Sequence, residues 1–396
     1  MLHCAALDMT KAFDTILYSE LFKKISARGV PAIVVRVLIY AYQEQHGWVR
    51  VAGANSDSFT IKNGTRQGSV LSPALFSCYM DELLQRLRRL NLGCSVAGVW
   101  MGASTYADDV FLLSPNQPTL QRMMNVCQEF GKEHNLAFST DPVPAKSKTK
   151  CIIFSGNKNL KELPPPIMLD GKALPYVASL DYLGHTLHQS MSMEMDSVRA
   201  TNSFKRRAHD IRDQLHFCHP KLIMRFINVF CGDLYGSQMW SLDSEYASSF
   251  YKQWNVMART VFGTKYNTHV SVVEGFLCSD IISFKNQVLS RYPKFVRKLL
   301  ESTSKEVRFL SRIVIADQRS NTCRNISYIS NLTKINDVIM VAGWRVREAL
   351  KQRCNLEQWR KNLLTTFMQI RYDKTYEEFN MTKHQLDQFI DSLMIS

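Results

Sequence analysis

Across 396 residues, 49 Lys and Arg stand against 35 Asp and Glu, a net charge of +14, while 45% of the chain is hydrophobic. That apolar fraction excludes wholesale disorder and leaves room for two or three domains. The basic excess favours a polyanionic partner such as nucleic acid, because neutralising phosphates releases their counterions.

Cys4 to Met9 is a short apolar run that predicts a buried strand bearing a carboxylate, Asp8, at its end. Leu17 to Ala27 carries apolar residues at helical spacing and stops at Gly29. Trp48 to Ile61 alternates around Gly53-Ala54-Asn55-Ser56, as a hairpin would. Ser72-Pro73 opens a helix running through Leu90, with Ser72 as N-cap and Gly93 beyond its end. Two β-leaning stretches fill Val96 to Leu113, and Tyr106-Ala107-Asp108-Asp109 lies where the second begins. Leu120 to Leu136 predicts an amphipathic helix and Cys151 to Phe154 a strand. Pro164 to Pro166 marks a loop and Asp170-Gly171 a turn. Beyond about Met191 long helical patterns rich in Arg, Lys, Trp and Tyr take over, which puts a boundary near residue 190.

Asp108 and Asp109 are two like charges between β-forming apolar segments, Tyr106-Ala107 and Val110 to Leu113. Carboxylates held this close raise each other's pKa unless a cation compensates. A divalent ion is the simplest compensation, and Mg²⁺ favours a few carboxylates together with substrate phosphates. Asp8 is the candidate third carboxylate for a two-metal clamp. Ten scattered cysteines without a C-x-x-C pair point to reduced thiols and an intracellular protein. The first residues lack a charged segment ahead of an apolar core, so secretion is not expected. No uncharged run reaches the roughly 18 residues of a membrane span.

Leu7-Asp8-Met9-Thr10-Lys11-Ala12-Phe13-Asp14 resembles motif A of LINE-type (non-LTR retrotransposon) reverse transcriptases. Asn63 to Pro73, with Gly64-Thr65-Arg66-Gln67-Gly68, resembles their motif B, and Tyr106 to Asp109 their motif C. Lys146-Ser147-Lys148-Thr149-Lys150 resembles motif D, and Leu180-Asp181-Tyr182-Leu183-Gly184 the primer-grip motif E. The ordered set covers about residues 5 to 190.

The resemblance implies an α+β fold. A right-hand polymerase palm, an antiparallel sheet packed on helices, would span residues 1–157 and a primer-grip hairpin 158–190. A helical thumb-like region would follow over 191–290, and a helical C-terminal region over 291–396. It implies an RNA-directed DNA polymerase that joins a dNTP to a primer 3′-hydroxyl on an RNA template. Asp8, Asp108 and Asp109 would hold two Mg²⁺ ions, with Mn²⁺ as the substitute. Phe13 would be a steric gate against the ribose 2′-hydroxyl, with an ordinary core Phe as the other reading. Gln67 and Gly68 would line the nucleotide and template, and Arg66 would touch phosphate or be a plain surface residue. Tyr106 belongs to the nucleotide site. Lys148, favoured over Lys146 and Lys150, would meet the triphosphate. Tyr182 and Gly184 would position the primer end.

Further along, Lys205-Arg206-Arg207, Trp254, Arg259, Lys265 and His269 suit phosphate contacts. Residues 291–396, with Trp344 and Trp359, carry no motif and read as packed helices.

Only seven residues precede Asp8. The resemblance therefore implies a chain truncated at its N-terminus, without fingers or endonuclease, whose first strand would fray easily. An inactive remnant that binds nucleic acid is the alternative to an active polymerase. Nucleus and cytoplasm are both compatible, and the oligomeric state is open.

Overall fold

The computed structural model describes residues 1–66, 68–141, 146–156, 162–232, 234–264 and 283–352, with the backbone alone at 351–352. The chain divides into two units: Met1–Leu183 with Leu187–Ser192, and Gly184–Thr186 with the residues from Met193 onward.

In the first unit, Leu2–Leu7 forms β1, Met9–Thr10 β2, Ala12–Thr15 α1, Tyr18–Ala27 α2 and Ala32–Gln43 α3. Short strands follow at His46–Gly47 (β3), Arg50–Val51 (β4), Ala54–Asn55 (β5) and Phe59–Thr60 (β6), then α4 at Ser72–Arg89. Next come β7 (Ser95–Val96), β8 (Val99–Trp100), β9 (Ala103–Tyr106), β10 (Asp109–Ser114), α5 (Gln117–Glu133) and β11 (Ala137–Phe138). The unit continues with β12 (Lys150–Phe154), β13 (Met168–Leu169), β14 (Lys172–Ala173) and β15 (Ser179–Tyr182), whose hairpin partner β16 (His185–His188) starts in the second unit and ends in the first.

The main sheet is antiparallel, in the order β12-β1-β10-β9. Its inner strands are apolar without strict alternation because both faces are covered. On one face Ala5, Leu7, Val110 and Leu112 pack with Phe76, Tyr79 and Leu83 of α4 and Leu120, Met124 and Phe130 of α5. On the other, Cys4, Phe111 and Ile152 pack with Leu180. β1 is thus an inner strand, bonded along both edges, and the expectation of a fraying first strand is corrected. Charges tie the helices outside the sheet. Lys24 of α2 meets Glu82 of α4 at 2.6 Å, and Arg86 joins Glu82 (2.5 Å) to Glu133 of α5 (2.6 Å).

Two local expectations also change. The turn between β4 and β5 is Ala52-Gly53, both left-handed (φ 49° and 88°), so it sits ahead of the Gly53–Ser56 segment. Such a pair matches the twist of a two-residue hairpin. Ser72 does not cap α4: it is buried, and its hydroxyl donates to the Arg66 carbonyl at 2.6 Å. The hydroxyl is spent on tying the preceding loop to the helix start.

Beyond Met193 the described residues are helical: α6 (Glu194–Gln214), α7 (Pro220–Cys231), α8 (Glu245–Phe262), then helices at Phe284–Leu300, Lys305–Ala316, Asn321–Thr333 and Gly343–Gln352. Their shared core is aromatic, with Phe204, Trp240, Phe250, Trp254, Phe284 and Tyr292 buried. Buried indoles need partners for their N–H groups. Trp254 finds Asn228 at 2.8 Å, and Trp240 finds the buried Asp196 carboxylate at 2.9 Å. Among the described residues, no helix is long and apolar enough to cross a membrane.

Candidate active site

The antiparallel pairing of β1 with β10 sets Leu7 opposite Val110. One residue further along the same register, Asp8 leaves β1 beside Asp109, the first residue of β10. Asp108 sits in the two-residue turn from β9, where Tyr106 pairs with Asp109 and Ala107 takes a left-handed φ of 53°. The three carboxylates therefore gather at one end of the sheet. Their proximity shows in the titration of Asp109, whose carboxyl is pushed up by burial first and then by the charges of Asp108 and Asp8. As the side chains stand, no group of three His, Cys, Asp or Glu among the described residues is arranged around a single ion position.

Asp8 is held by its backbone on both sides. Its N–H donates to Thr149 Oγ1 at 3.2 Å, and its carbonyl accepts from the Ser139 N–H at 2.8 Å. Thr149 is fully buried, as is Ser147, whose hydroxyl bonds the Thr149 carbonyl. Lys148 between them projects outward, 71% exposed, with Nζ 3.7 Å from Asp8 Oδ2. Of the three motif lysines, Lys148 is the one in an ion pair with Asp8; Lys146 is exposed and Lys150 opens β12.

Phe13 lies on α1, half-buried, with its ring 4.6 Å from that of Phe76. The α1 turn is locked to the segment after β6: the Thr65 N–H donates to the Phe13 carbonyl (2.7 Å) and the Gly64 N–H to the Ile16 carbonyl (2.9 Å). Gly64 has a φ of +91°, and a Cβ there would meet the Phe13 carbonyl at 2.8 Å and Asp14 Cα at 2.9 Å. Gly68, also left-handed at +84°, has nothing within 4 Å. A Cβ at Gly64 would thus meet protein backbone, whereas one at Gly68 would enter open space. The Arg66 guanidinium donates to the Ala41 carbonyl at the end of α3 (3.3 Å), and its side chain is exposed. Gln67 lies outside the described residues, as do Lys265, His269 and Trp359.

Tyr106 is exposed at the strand end. Tyr182, on β15, packs its ring 4.7 Å from Phe111. Its hydroxyl is buried without a hydrogen-bond partner, and its phenol is pushed up to about 12 by burial and by the Asp109 charge. Gly184 is at the hairpin tip, where Leu183 and Gly184 both take left-handed φ (46° and 76°). In the helical unit Lys205, Arg206 and Arg207 are exposed on α6, whereas Trp254 is core.

Residues 2–187 match the family model described as reverse transcriptase (RNA-dependent DNA polymerase). The chain carries a reverse transcriptase domain. Its relatives include the Pol polyprotein of a type-1 retrotransposable element from Nasonia vitripennis, 28% identical over 188 residues, or 46% of this chain and 18% of that protein. The RNA-directed DNA polymerase of the mobile element jockey from Drosophila funebris is 24% identical over 208 residues, 51% of this chain and 21% of its own length. A Pol polyprotein of a type-2 retrotransposable element from Drosophila melanogaster is 28% identical over 157 residues, 38% of this chain and 15% of that protein. The reverse transcriptase segment thus spans only a fifth or so of the relatives it matches. Asp8, Phe13, Arg66, Gly68, Tyr106, Asp108, Asp109, Lys148 and Tyr182 all fall inside the matched span. Sequence reasoning had given no particular role to Gly64 or Thr149. Both stood inside recognised motifs, and only their contacts distinguish them.

Proposed function

We propose that this reverse transcriptase domain performs RNA-directed DNA synthesis, as a polymerase palm followed by a helical thumb. The primer 3′-hydroxyl attacks the dNTP α-phosphorus in line, the α–β phosphoanhydride bond breaks, and pyrophosphate leaves. The observation that carries the reading is the gathering of Asp8, Asp108 and Asp109 at one sheet end, with the Lys148 amine beside Asp8.

The donor set fits a hard divalent cation. Its oxygens are carboxylates, and their mutual repulsion, visible at Asp109, is what a cation relieves. When bound, Mg²⁺ or Mn²⁺ would supply Lewis-acid polarisation and charge neutralisation at the transferring phosphate. The fixed backbone of Asp8 orients its carboxylate towards that region. Lys148 swings on a long stem from Asp8 to the triphosphate, where its ammonium offsets charge and can donate a proton to the departing pyrophosphate. Phe13, held by the Gly64–Thr65 clasp and by Phe76, stands against a 2′-hydroxyl. In this reading Arg66, Gln67 and Gly68 serve the nucleotide and template, Tyr106 serves the nucleotide, and Tyr182 with Gly184 supports the primer end.

Primer extension on an RNA template, with dNTPs and Mg²⁺, tests this reading against an Asp108→Asn control. Extension by the natural chain and none by the variant is expected. Equal signals from the two, with duplex binding retained, would establish the non-catalytic remnant instead.

A further inference from the structure

Asp196 draws on four neighbouring residues, and no motif or role accounts for it. It lies in the first turn of α6 with 1% of its side chain exposed. Its donors come from three directions. The Thr186 N–H reaches Oδ1 at 3.1 Å, and His185 Nδ1 lies 3.4 Å from Oδ2, both from the hairpin tip. Trp240 Nε1 donates to Oδ2 at 2.9 Å. Arg199, one turn along α6, donates to Oδ1 at 2.8 Å and also to the Gly184 carbonyl. Burial opposes the charged form, but these hydrogen bonds outweigh it and hold the carboxyl well below the usual carboxylate range.

The tip is fastened at two further points. The His185 ring stacks on Tyr235, with centroids 5.1 Å apart at 26°. Gly236 is left-handed at φ +86°, and any Cβ there would run into the His185 ring. Fully buried carboxylates are expensive, and an apolar replacement often stabilises a fold more. A charge kept in such a place is best explained by the geometry it enforces. Three of the four partners, Thr186, His185 and Arg199, belong to the tip or bond to it. The cleft beside the tip is lined by Gly184, Arg199, Ser203, Arg207, Tyr235 and Trp240, so two arginines contribute to the wall of one small space. Guanidinium groups held in this way suit a phosphodiester.

We propose that Asp196 is a positioning residue for the primer strand: it fixes the hairpin tip Gly184–Thr186 and Arg199 around a cleft that holds a phosphodiester of that strand. The inference rests on the polymerase reading above. Asp196 acts through Arg199 and the tip backbone, not on the reacting atoms.

The test uses the full chain with a poly(rA) template, an oligo(dT) primer, dTTP and Mg²⁺. Asp196→Asn places an amide among donors, so the tip loosens. The KM for primer–template is expected to rise about tenfold, the worth of one charge-assisted hydrogen bond, with the KM for dTTP unchanged. A purely structural role would instead lower the active fraction, and so the apparent kcat, at constant KM. Arg199→Ala, at a half-exposed side chain, guards against failure of the first variant to fold and should raise the same KM by a smaller factor. If the natural chain extends the primer and both variants keep its primer–template KM, the inference is overturned alone. If the natural chain does not extend the primer at all, the polymerase reading falls and this inference falls with it.

Discussion

Replacing Gly64 with alanine probes the joint between α1 and the segment carrying Arg66. Two costs combine there. The left-handed φ of +91° penalises any L side chain by about 1–2 kcal/mol. The new methyl would also lie 2.8 Å from the Phe13 carbonyl, 2.9 Å from Asp14 Cα and 3.0 Å from the Asp14 carbonyl. All three are backbone atoms and cannot swing aside, so overpacking adds about 1–3 kcal/mol. Gly68→Ala is the internal reference. It shares the left-handed backbone, with φ +84°, but its methyl would enter open space, so only the first cost of about 1–2 kcal/mol applies. The difference between the two variants, about 1–3 kcal/mol, therefore isolates the contact with α1. A chain of two units need not unfold in one step, so the readout should belong to the first unit. Pulse labelling of Cys127, fully buried in that unit, across a urea series meets this need. Gly64→Ala should also depress primer extension, because Phe13 rides on the displaced turn. If the Gly64 variant shifts the urea midpoint no more than the Gly68 variant, the clasp has no energetic weight and the reasoning fails.

Asp8→Asn and Asp108→Asn should each lower extension by about three orders of magnitude, the several kcal/mol a metal-held carboxylate contributes to the transition state; residual activity near the natural level would contradict the site. Phe13→Val should raise incorporation of ribonucleotides relative to deoxynucleotides by about tenfold or more, read as the ratio of kcat/KM values; an unchanged ratio would leave Phe13 as a core residue only. Lys148→Ala should slow single-turnover extension by about a hundredfold, whereas Lys146→Ala and Lys150→Ala should not; the opposite pattern would move the role to another lysine. Glu82 predicts an acid sensitivity of the first unit. Burial opposes its charge, but the bonds from Lys24 and Arg86 draw its carboxyl from 4.5 down to about 2. A depressed carboxyl stabilises the fold above its unfolded value, and that support is lost as pH falls from about 4.5 through 2. The urea midpoint should fall over that window, and Glu82→Gln should flatten the slope.

Consecutive residues made the placement of the acidic residues legible. The run Val110 to Leu113 announces a strand covered on both faces, and the acidic pair stands at its start, so the sequence itself places the pair at a strand end. Asp8 was legible for the same reason at the end of β1. What the sequence hid depends on distant partners. Asp196 is one of 35 acidic residues until the fold brings residues 185, 186, 199 and 240 around it. Thr149 looked like a filler between two lysines, yet its hydroxyl takes the Asp8 N–H. Helix α3 escaped reading because Ile33, Val34, Val35 and Val37 are β-branched, and only Val35 and Tyr42 of that helix are buried, which blurs its period. Ser72 shows the reverse error: a residue suited to capping was drawn away by a nearer carbonyl.

The central position of β1 has a kinetic consequence. Its partners, Val110 to Ser114 and Lys150 to Phe154, lie more than a hundred residues downstream. Each pairing must bear the closure entropy of a long loop before any hydrogen bond compensates. Contacts of such separation slow folding, and a chain emerging from the ribosome would carry β1 unpaired until residue 114 had cleared the tunnel, and open along its other edge until residue 154 had done so. Local helices such as α4 and α5 can form meanwhile, but the carboxylates meet only when the sheet closes. Assembly of the acidic cluster therefore follows the local helices of the first unit, and refolding monitored by β1 protection should lag well behind the recovery of helical signal.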